Sequence, residues 1–340
     1  MDPVPVQSRN RPPTIRDVAR HAKVGVGTVS RVLNDSPLVS NSARARVGRT
    51  IDELGYRRSL TARNLSLGRT QTIGVVVPFF TSGSVLERLR GIVERLREQD
   101  GYDLLLFDIE TLAQRADAFR SFARRDRVDG LLIISLRLSD SEVEGLRRES
   151  LPVVLVDASH PELPHVVIDD VRGGELAVEH LLSKGHTRIG FVGDEPSLFG
   201  FTSSEQRRRG LRRALRRAGI RAQASLERRG PHSRESAREL AGGLLSVQDR
   251  PTAIFAASDL QAMGVLEAAR AAGLRVPRDL AVIGFDDIEA AATLGLTTVR
   301  QPLRETGSRG AELLLSAVEG AHIERVKELI PVTVVERRTT

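Results

Sequence analysis

From Gln71 onward, short apolar segments alternate with longer amphipathic ones. TIGVVVP, YDLLLFD, VDGLLII and PVVLVD have the composition of buried strands, and VLERLRGIVERLREQ and DAFRSFARR have apolar residues at helical spacing. The second half repeats the pattern, with RIGFVGD, TAIFAAS and LAVIGFD as its strand-like segments. Such alternation predicts parallel sheets with helices on both faces, and about 270 residues suffice for two such lobes. Ligands of open sheets bind beyond the carboxyl ends of the strands, so we expect a cleft between the lobes.

The first 70 residues are organised differently. In TIRDVARHA, Thr14 and Asp17 precede an apolar stripe, a capping-box pattern that predicts a helix from Thr14 to His21. KVGVG interrupts that helix, and a second short helix is predicted through TVSRVLN. A third is predicted to start at the cap Ser40 and to end at Gly55. Three short helices with a tight turn between the first two predict a helix-turn-helix unit.

The charge of the chain is concentrated in this first segment. Residues 1–70 contain 13 Lys and Arg against 5 Asp and Glu, a net +8, whereas the whole chain carries +7. A compact basic segment beside a nearly neutral body predicts a module that binds a polyanion, attached to a domain with another role.

Several classes of protein are disfavoured by what the sequence lacks. The absence of cysteine excludes disulfides and thiolate metal sites. The N-terminus has no signal-peptide pattern, and no window reaches about 18 uninterrupted apolar residues, so we expect a cytoplasmic protein without membrane contact. The seven histidines are dispersed, and H-E-x-x-H, G-x-S-x-G and P-loop motifs are absent. We therefore predict no catalytic residue, metal or cofactor.

The stretch VGVGTVSRVLN raises the alternative of a phosphate-binding glycine loop. A G-x-G-x-x-G loop follows a strand and ends in Gly or Ala, but here the third position is Ser30 and the preceding segment is helical. The enzyme interpretation of this loop therefore fails. Instead, Gly25 and Gly27 are expected to give the turn conformational freedom and to let the next helix approach a partner surface closely.

Polar residues on that second helix suit a nucleic-acid partner. Hydroxyls and amides at Thr28, Ser30 and Asn34 can hold phosphate oxygens, and Arg31 has the forked guanidinium that pairs with guanine. A helix whose polar side chains are only solvated is the alternative.

Polar residues also follow several predicted strands of the body. Asp157 closes PVVLVD, Ser258 and Asp259 follow TAIFAA, and Asp286 closes LAVIGFD. Together at one edge they would suit a polyhydroxylated solute, because carboxylates accept hydrogen bonds from hydroxyls. Taken singly, each carboxylate is better explained as a helix cap.

Adjacent carboxylates occur at Asp169–Asp170 and Asp286–Asp287. Neighbours in an extended chain point opposite ways, so each pair is interpreted as a helix cap beside a strand-end polar group rather than an acid–base pair. Between the two parts of the chain, RRSLTARNLSLGRTQT would on its own be interpreted as a linker.

Two long motifs closely resemble the LacI/GalR family of bacterial transcription repressors. TIRDVARHAKVGVGTVSRVLNDSPLVS, followed by IDELGYRRSLTARNL and TIGVVVP, resembles the family's DNA-binding segment. GHTRIGFVGD and IFAASDLQAMGVLEAARAAGLRVPRDLAVIGFDDIE with LTTVRQPL resemble its ligand-binding body. The resemblance runs from about Thr14 to the end of the chain. It implies an N-terminal all-α helix-turn-helix DNA-binding head and an α/β two-lobed body like periplasmic binding proteins.

For the head, the resemblance implies a flexible extension at 1–13, a DNA-binding domain at 14–60 and a hinge at 61–70 that becomes helical on DNA. Leu65 would be the apolar wedge that opens the central step of the operator from the minor groove. Val26, Gly27 and Arg31 would occupy base-reading positions. The DNA-binding residues implied are Thr14, Val26, Gly27, Thr28, Ser30, Arg31, Asn34, Tyr56, Arg63 and Leu65.

For the body, residues 71–340, the resemblance implies an N-lobe of about 71–168 and 302–328 and a C-lobe of about 169–301 and 329–340. Where many relatives have a DxSNPFF-like run, this chain has VPFFTSGS. The effector-binding residues implied are Phe79, Ser82, Asp157, Ser203, Arg207, His232, Ser258 and Asp286.

The expected function is that of a repressor on a pseudo-palindromic operator in double-stranded DNA, with its affinity set by a small effector in the cleft. A neutral sugar is favoured, and nucleosides and phosphorylated sugars stay open. The chain ends shortly after PVTVV without a heptad helix, which favours a homodimer over a tetramer. The alternative is a stand-alone solute-binding protein or sugar-processing enzyme, neither of which needs a basic helical head.

Overall fold

The computed structural model describes residues 13–57, 69–98, 101–122, 127–196, 200–323 and 326–340. The chain divides into two compact units, residues up to 70 and residues 71–340. The predicted extension up to residue 12 and most of the predicted hinge, with Arg63 and Leu65, lie outside the described residues.

The head consists of helices α1 (Ile15–His21), α2 (Val26–Leu33) and α3 (Asn41–Leu54). The capping box predicted for α1 is present, because the Asp17 carboxylate accepts hydrogen bonds from the Thr14 backbone N (2.9 Å) and Oγ1 (2.6 Å). The helix itself starts one residue later than predicted. At the other end of the head, Gly55 ends α3 with φ +60°, a left-handed conformation that favours glycine.

A small apolar core holds these three helices together. Val18 and Ala19 of α1, Val29 of α2 and Val47 of α3 are buried against one another. Each helix thus contributes one apolar face, as the spacing of these residues predicts, and leaves its other face to solvent.

The first sheet of the body is entirely parallel, in the order β11-β5-β4-β3-β1-β2. Its central strands are apolar and buried on both faces, as expected of a sheet covered by helices. The strands are β1 (Thr72–Pro78), β2 (Asp103–Ile109), β3 (Gly130–Ile134), β4 (Val153–Val156), β5 (His165–Ile168) and β11 (Lys327–Ile330).

The second sheet has the order β12-β10-β9-β8-β6-β7 and is parallel except for β12, which pairs antiparallel with β10. One edge of this sheet therefore departs from the parallel pairing predicted for it. The strands are β6 (Ile189–Asp194), β7 (Glu227–Gly230), β8 (Ala253–Ala256), β9 (Ala281–Asp286), β10 (Thr297–Arg300) and β12 (Thr333–Val335).

Helices connect most of the parallel strands, and the chain passes between the two sheets three times: after β5, after β10 and between β11 and β12. These crossings make each sheet depend on segments far apart in sequence. The helices are α4 (Gly83–Glu98), α5 (Leu112–Phe122), α6 (Asp140–Arg148), α7 (Asp170–Ser183), α8 (Ser203–Arg217), α9 (Arg234–Leu245), α10 (Asp259–Ala271), α11 (Glu289–Leu294) and α12 (Leu303–Val318).

Three pairs of these helices, α4 with α12, α7 with α8 and α9 with α10, pack at glycines. A Cβ at Gly264 of α10 would lie 2.3 Å from the carbonyl oxygen of Arg234 in α9, and one at Gly307 of α12 would lie 2.1 Å from that of Arg88 in α4. The backbones therefore approach closer than any side chain permits.

Candidate functional site

The outer face of α2 is the candidate DNA-reading surface of the head. Val29 faces the core, whereas Gly27 and Arg31 are exposed and the Val26 side chain is 43% exposed. Thr28 and Ser30 lie half-buried at the border of this face. Because Val29 is buried on the opposite face of α2, the residues predicted to read bases lie together on its solvent-exposed face.

The two glycines beside this face have a different role from the one expected. Gly25 is the N-cap of α2 with an extended backbone (φ −72°), and Gly27 lies within the helix, so neither needs a glycine conformation. The left-handed residue of the turn is Lys23, with φ +49°. The prediction that these glycines give the turn its freedom is therefore wrong. A Cβ at either would meet nothing within 4 Å, which leaves the outer face of α2 bare for a partner.

Three more predicted DNA contacts lie around this helix. The Thr14 hydroxyl is engaged by Asp17 in the capping box. Tyr56 is half-buried against the head core just after α3, and Asn34 is exposed at the C-terminal end of α2.

Five of the seven non-glycine residues with positive φ in the described part of the body lie at the carboxyl edges of the two sheets. Phe79 after β1 (φ +50°), Ser135 after β3 (φ +54°) and Asp157 after β4 (φ +58°) share this conformation, as do Asp286 and Asp287 (φ +117° and +60°) at the end of β9. Non-glycine residues adopt it at a cost and do so most often at functional sites. The sequence-predicted carboxylates Asp157 and Asp286 are both in this group.

Arg207 of α8 forms a buried cluster on the second sheet. Its Nε donates to Asp170 Oδ1 (2.8 Å) and its Nη1 donates to the Ala257 carbonyl (2.7 Å) and lies 3.5 Å from Asp286 Oδ1. The guanidinium also lies 3.6 Å from the centre of the Phe285 ring, a cation–π contact. Two carboxylates are thus held around one cation.

Burial raises the pKa of Asp170 and of Asp286, although the positive charge of Arg207 opposes the shift in both. For Arg207, burial alone would lower the pKa, but the Asp170 and Asp286 carboxylates raise it above its usual value. The guanidinium therefore stays charged in a nearly dry environment.

Arg88 of α4 makes the corresponding cluster on the first sheet. Its Nη2 lies 2.9 Å from Asp157 Oδ1 and donates to Gln301 Oε1 (2.9 Å). Gln301 Nε2 in turn donates to Asp286, and Ser135 Oγ donates to Asp157 Oδ2 (2.6 Å). The structure thereby links the predicted residues Asp157, Asp286 and Arg207 through two residues that the sequence reasoning missed.

A second polar group surrounds His232 of the loop before α9. Its Nδ1 is 2.9 Å from Asp194 Oδ1, which also accepts from Gln261 Nε2 (2.8 Å). Ser258 Oγ contacts Gln261 as well, accepting from its backbone N and donating to Oε1, both at 3.2 Å. The structure thus joins His232 and Ser258 through Asp194 and Gln261.

The remaining predicted effector residues lie at the ends of elements, Phe79 just after β1 and the two serines at the starts of helices. Phe79 is 42% exposed, and its ring centre lies 6.5 Å from that of Phe201. Ser82 precedes α4 and Ser203 begins α8, and both are half-buried.

Only one of the two pairs of adjacent carboxylates contains the helix cap that was predicted for both. Asp169 caps α7 by accepting from the Arg172 backbone N (2.8 Å). Asp287 instead pairs with Arg300 and Arg337, both at 2.6 Å, and the N-cap of α11 is Ile288. The helix cap expected at Asp286–Asp287 is therefore wrong, because nearby arginines take the Asp287 oxygens.

Within the described residues, no group of three or more His, Asp or Glu side chains is placed to hold a metal ion. None of the described helices combines the length and the apolar character that a membrane crossing requires.

Comparisons with known proteins agree with both units. Residues 14–59 match the family of bacterial regulatory proteins, lacI family, and residues 178–340 match the periplasmic binding protein-like domain. The chain is 36% identical over 336 residues to the HTH-type transcriptional regulator DegA of Bacillus subtilis, covering 96% of this chain and 98% of that protein. It is 35% identical over 325 residues to the ribose operon repressor of Escherichia coli, covering 94% and 97%.

Solved structures give the same result. The lac repressor dimer bound to operator and the anti-inducer ONPF superposes with a TM-score of 0.85 at 28% identity, covering 97% of this chain and 99% of that one. A LacI family transcriptional regulator from Enterococcus faecium with bound ribose superposes with a TM-score of 0.70 at 29% identity, covering 79% and 98%. The lac repressor match thus spans nearly all of this chain, whereas the match to the ribose-bound regulator covers only part of it.

Proposed function

This chain belongs to the LacI family of bacterial regulatory proteins, and we propose that it represses transcription as a homodimer on a pseudo-palindromic operator. Family membership makes it a DNA-binding transcriptional repressor and not an enzyme. In the proposal, residues 14–60 form the head and residues 61–70 the hinge. A sugar bound in the cleft between the lobes controls the affinity for DNA. The protein acts in the cytoplasm, where chromosomal DNA lies.

The outer face of α2 carries the proposal. Arg31 is exposed there and has no ion-pair partner among the described residues, in a segment whose net charge is +8. An unpaired guanidinium beside Val26 and a bare Gly27 suits the major groove, where it can donate two hydrogen bonds to guanine. The small side chains beside it let the helix backbone come close to the base edges.

The cleft supports a neutral sugar as effector. Each carboxylate of the two main clusters is already opposed by a buried arginine, Asp157 by Arg88 and both Asp170 and Asp286 by Arg207. Such a nearly balanced set disfavours a strongly charged ligand and offers acceptors and donors to hydroxyl groups. Relatives include the ribose operon repressor and a regulator with bound ribose.

An apolar groove on the second lobe supports the homodimer. It has a volume of about 670 Å³ and is flanked by charged residues, with Leu294 of α11 45% exposed at its side. Exposed apolar patches with polar borders are typical of protein interfaces. Its apolar lining consists of Met263, Leu266, Leu274, Val276 and Leu294.

The proposal is tested by gel shift on DNA from the protein's own upstream region. Wild type is expected to prefer this DNA over random DNA at moderate salt. Arg31→Ala should lose about 1–3 kcal/mol of discrimination at one base pair per half-site. Arg31→Lys is the matched control for charge: it should keep binding to random DNA yet lose part of the discrimination, because an ammonium lacks the planar fork that matches the two acceptors of guanine. Equal wild-type affinity for both DNAs would contradict the repressor proposal.

The effector is sought by a thermal-shift screen of neutral sugars that begins with D-ribose. Asp157→Asn should reduce the shift, because its carboxylate is expected to accept hydrogen bonds from sugar hydroxyls. Asp279→Asn is the control, since Asp279 pairs with Arg275 on the surface. A sugar whose shift survives Asp157→Asn and Asp286→Asn unchanged would locate the binding site elsewhere.

A further inference from the structure

A continuous polar connection runs through the point where the chain crosses from the second sheet back to the first. Gln301 directly follows β10 of the second sheet and precedes α12, which packs on α4 and the first sheet. We call Arg88, Asp157, Gln301 and Asp286 the crossing junction. Two of its members are strand-end carboxylates, one from each lobe.

The four members of the crossing junction are joined by direct hydrogen bonds and an ion pair. Arg88 Nη2 reaches Asp157 Oδ1 and Gln301 Oε1, each at 2.9 Å, and Gln301 Nε2 donates to Asp286 Oδ1. Gln301 is only 3% exposed and Asp286 only 6%. A single amide therefore joins the cation of one lobe to the carboxylate of the other, and any rotation between the lobes has to alter at least one of these bonds.

Arg88 is an unusual residue for its position. It lies on the inner face of α4 between the buried residues Val85 and Ile92, and is itself 1% exposed. An apolar side chain would fill this place without the cost of burying a charge. Arg88 Nε also has no hydrogen-bond partner among the described residues. A buried charged donor left unpaired is costly, so this arrangement is one that a ligand or another lobe angle can improve.

We propose that Arg88 is a positioning residue which, through Gln301, sets the angle between the two lobes in the effector-free protein. Effector hydroxyl groups that bind Asp157 and Asp286 compete with Arg88 and Gln301 for the same carboxylate oxygens. Binding thus weakens the connection between the lobes at one of the three points where the chain crosses from one sheet to the other. The role of the cleft as the effector site rests on the proposed function, but the control of lobe angle by Arg88 does not.

Lobe angle is measured directly, without DNA or effector. The chain has no cysteine, so Ser141→Cys on α6 of the first lobe and Glu239→Cys on α9 of the second provide two unique sites for spin labels. Pulsed electron paramagnetic resonance on the full chain then gives the distribution of distances between the lobes. All variants are measured well below their melting temperatures.

Arg88→Met and Gln301→Leu are each expected to lengthen and broaden this distribution. Loss of one hydrogen bond to a charged group should raise the ratio of open to closed molecules about tenfold. The double variant should open no further than either single variant, because both remove the same connection. Arg88→Lys, which keeps the charge, should restore part of the wild-type distribution. Arg97→Met, an exposed position on the same helix, is the matched control.

A purely structural role for Arg88 gives a different result. Arg88→Met would then lower the melting temperature and leave the distance distribution as in wild type, which would overturn the proposal. If Arg88→Met does not fold, Gln301→Leu decides in the same way, because it removes the amide and leaves the Arg88–Asp157 pair in place. Failure of wild type to prefer operator DNA would defeat the proposed function and leave this measurement unaffected.

Discussion

At the scale of single residues, two glycines of the head have opposite requirements. Gly48 lies in the middle of α3 in a helical conformation, and a Cβ there would meet nothing within 4 Å. Gly55 ends the same helix with φ +60°, and the space around it is equally open. The two glycines therefore differ only in backbone conformation, because a side chain would fit without a clash at either position.

Gly48→Ala should stabilise the head by about 1 kcal/mol, because alanine loses less conformational entropy in a helix. Gly55→Ala is the matched variant and should destabilise it by about 1 kcal/mol, since a Cβ disfavours the left-handed conformation. Urea denaturation followed by circular dichroism measures both. Shifts of the same sign would refute this explanation.

The His232–Asp194 pair predicts a pH dependence of stability. Partial burial alone would lower the pKa of His232, whose side chain is still 45% exposed, but the hydrogen bond to Asp194 raises the pKa above its ordinary value. A raised pKa in the folded state means stabilisation that is fully present below the unfolded-state pKa of about 6.5 and lost as pH rises through the folded-state value. The melting-temperature difference between wild type and His232→Gln should therefore be larger at about pH 6 than at about pH 9. A difference that grows with pH would contradict the assignment.

Some residues of the two arginine clusters could be predicted from the sequence and others could not, for a physical reason. Asp157 and Asp286 each follow an apolar strand, and that local pattern places them at the carboxyl edge of a sheet. Arg88 and Gln301 are 213 residues apart, and only the return of the chain to the first sheet brings them together. The one local indication in the sequence that Arg88 is special is its charge within the apolar face of α4. For the predicted DNA-binding and effector residues, binding roles stay predictions until they are measured.

At the scale of elements, helix pairing depends on where glycines fall. Gly264 of α10 faces the backbone of α9, whereas Gly243 of α9 has nothing within 4 Å of an added Cβ. Both lie in helices of the same pair, and both have ordinary helical neighbours. The difference is only whether another backbone occupies the space.

Gly264→Ala should destabilise the body by about 1–3 kcal/mol, because its Cβ would force the two helices apart. Gly243→Ala should be neutral or stabilise by up to about 1 kcal/mol, through helix propensity alone. Thermal denaturation measured by calorimetry distinguishes them. Equal effects would show that the close approach of α9 and α10 is not required.

Elements were predictable where their residues carry a strong local pattern. The apolar runs of β1, β3, β8 and β9 identify them as buried strands. The strands HVVI, ERRG, TTVR and KELI have four residues each, too few to show a period, and ERRG and KELI lie at sheet edges where polar residues are tolerated. Their pairing is decided by the rest of the sheet.

At the scale of the whole molecule, the proposed homodimer has to cover the apolar groove of the second lobe. Leu294 at this groove is 45% exposed, and Val247 on the same lobe is 40% exposed but lies outside it. The two residues are therefore alike in exposure and differ in location, so the pair can separate a specific interface from general surface hydrophobicity.

Leu294→Glu should convert the dimer to monomer, because burying a carboxylate in a largely apolar interface costs desolvation free energy that the interface does not otherwise spend. Val247→Glu should leave the dimer intact. Sedimentation velocity at micromolar protein reports both. Operator affinity should fall with Leu294→Glu, since two linked heads bind far more tightly than one. A dimer that survives Leu294→Glu would locate the interface on another face.

Because the chain crosses between the sheets three times, neither sheet is complete until the end of the chain has been synthesised. The head core is complete once Tyr56 has left the ribosome, but β11 and β12, the last strands of the two sheets, lie at Lys327–Ile330 and Thr333–Val335. At about 5–20 residues per second, translation of the intervening segment takes about 15–55 s. During that interval every residue of the head core has been synthesised, whereas neither sheet of the body has all of its strands. If the proposed function holds, DNA binding and its control by effector are therefore completed at different times in the synthesis of each copy.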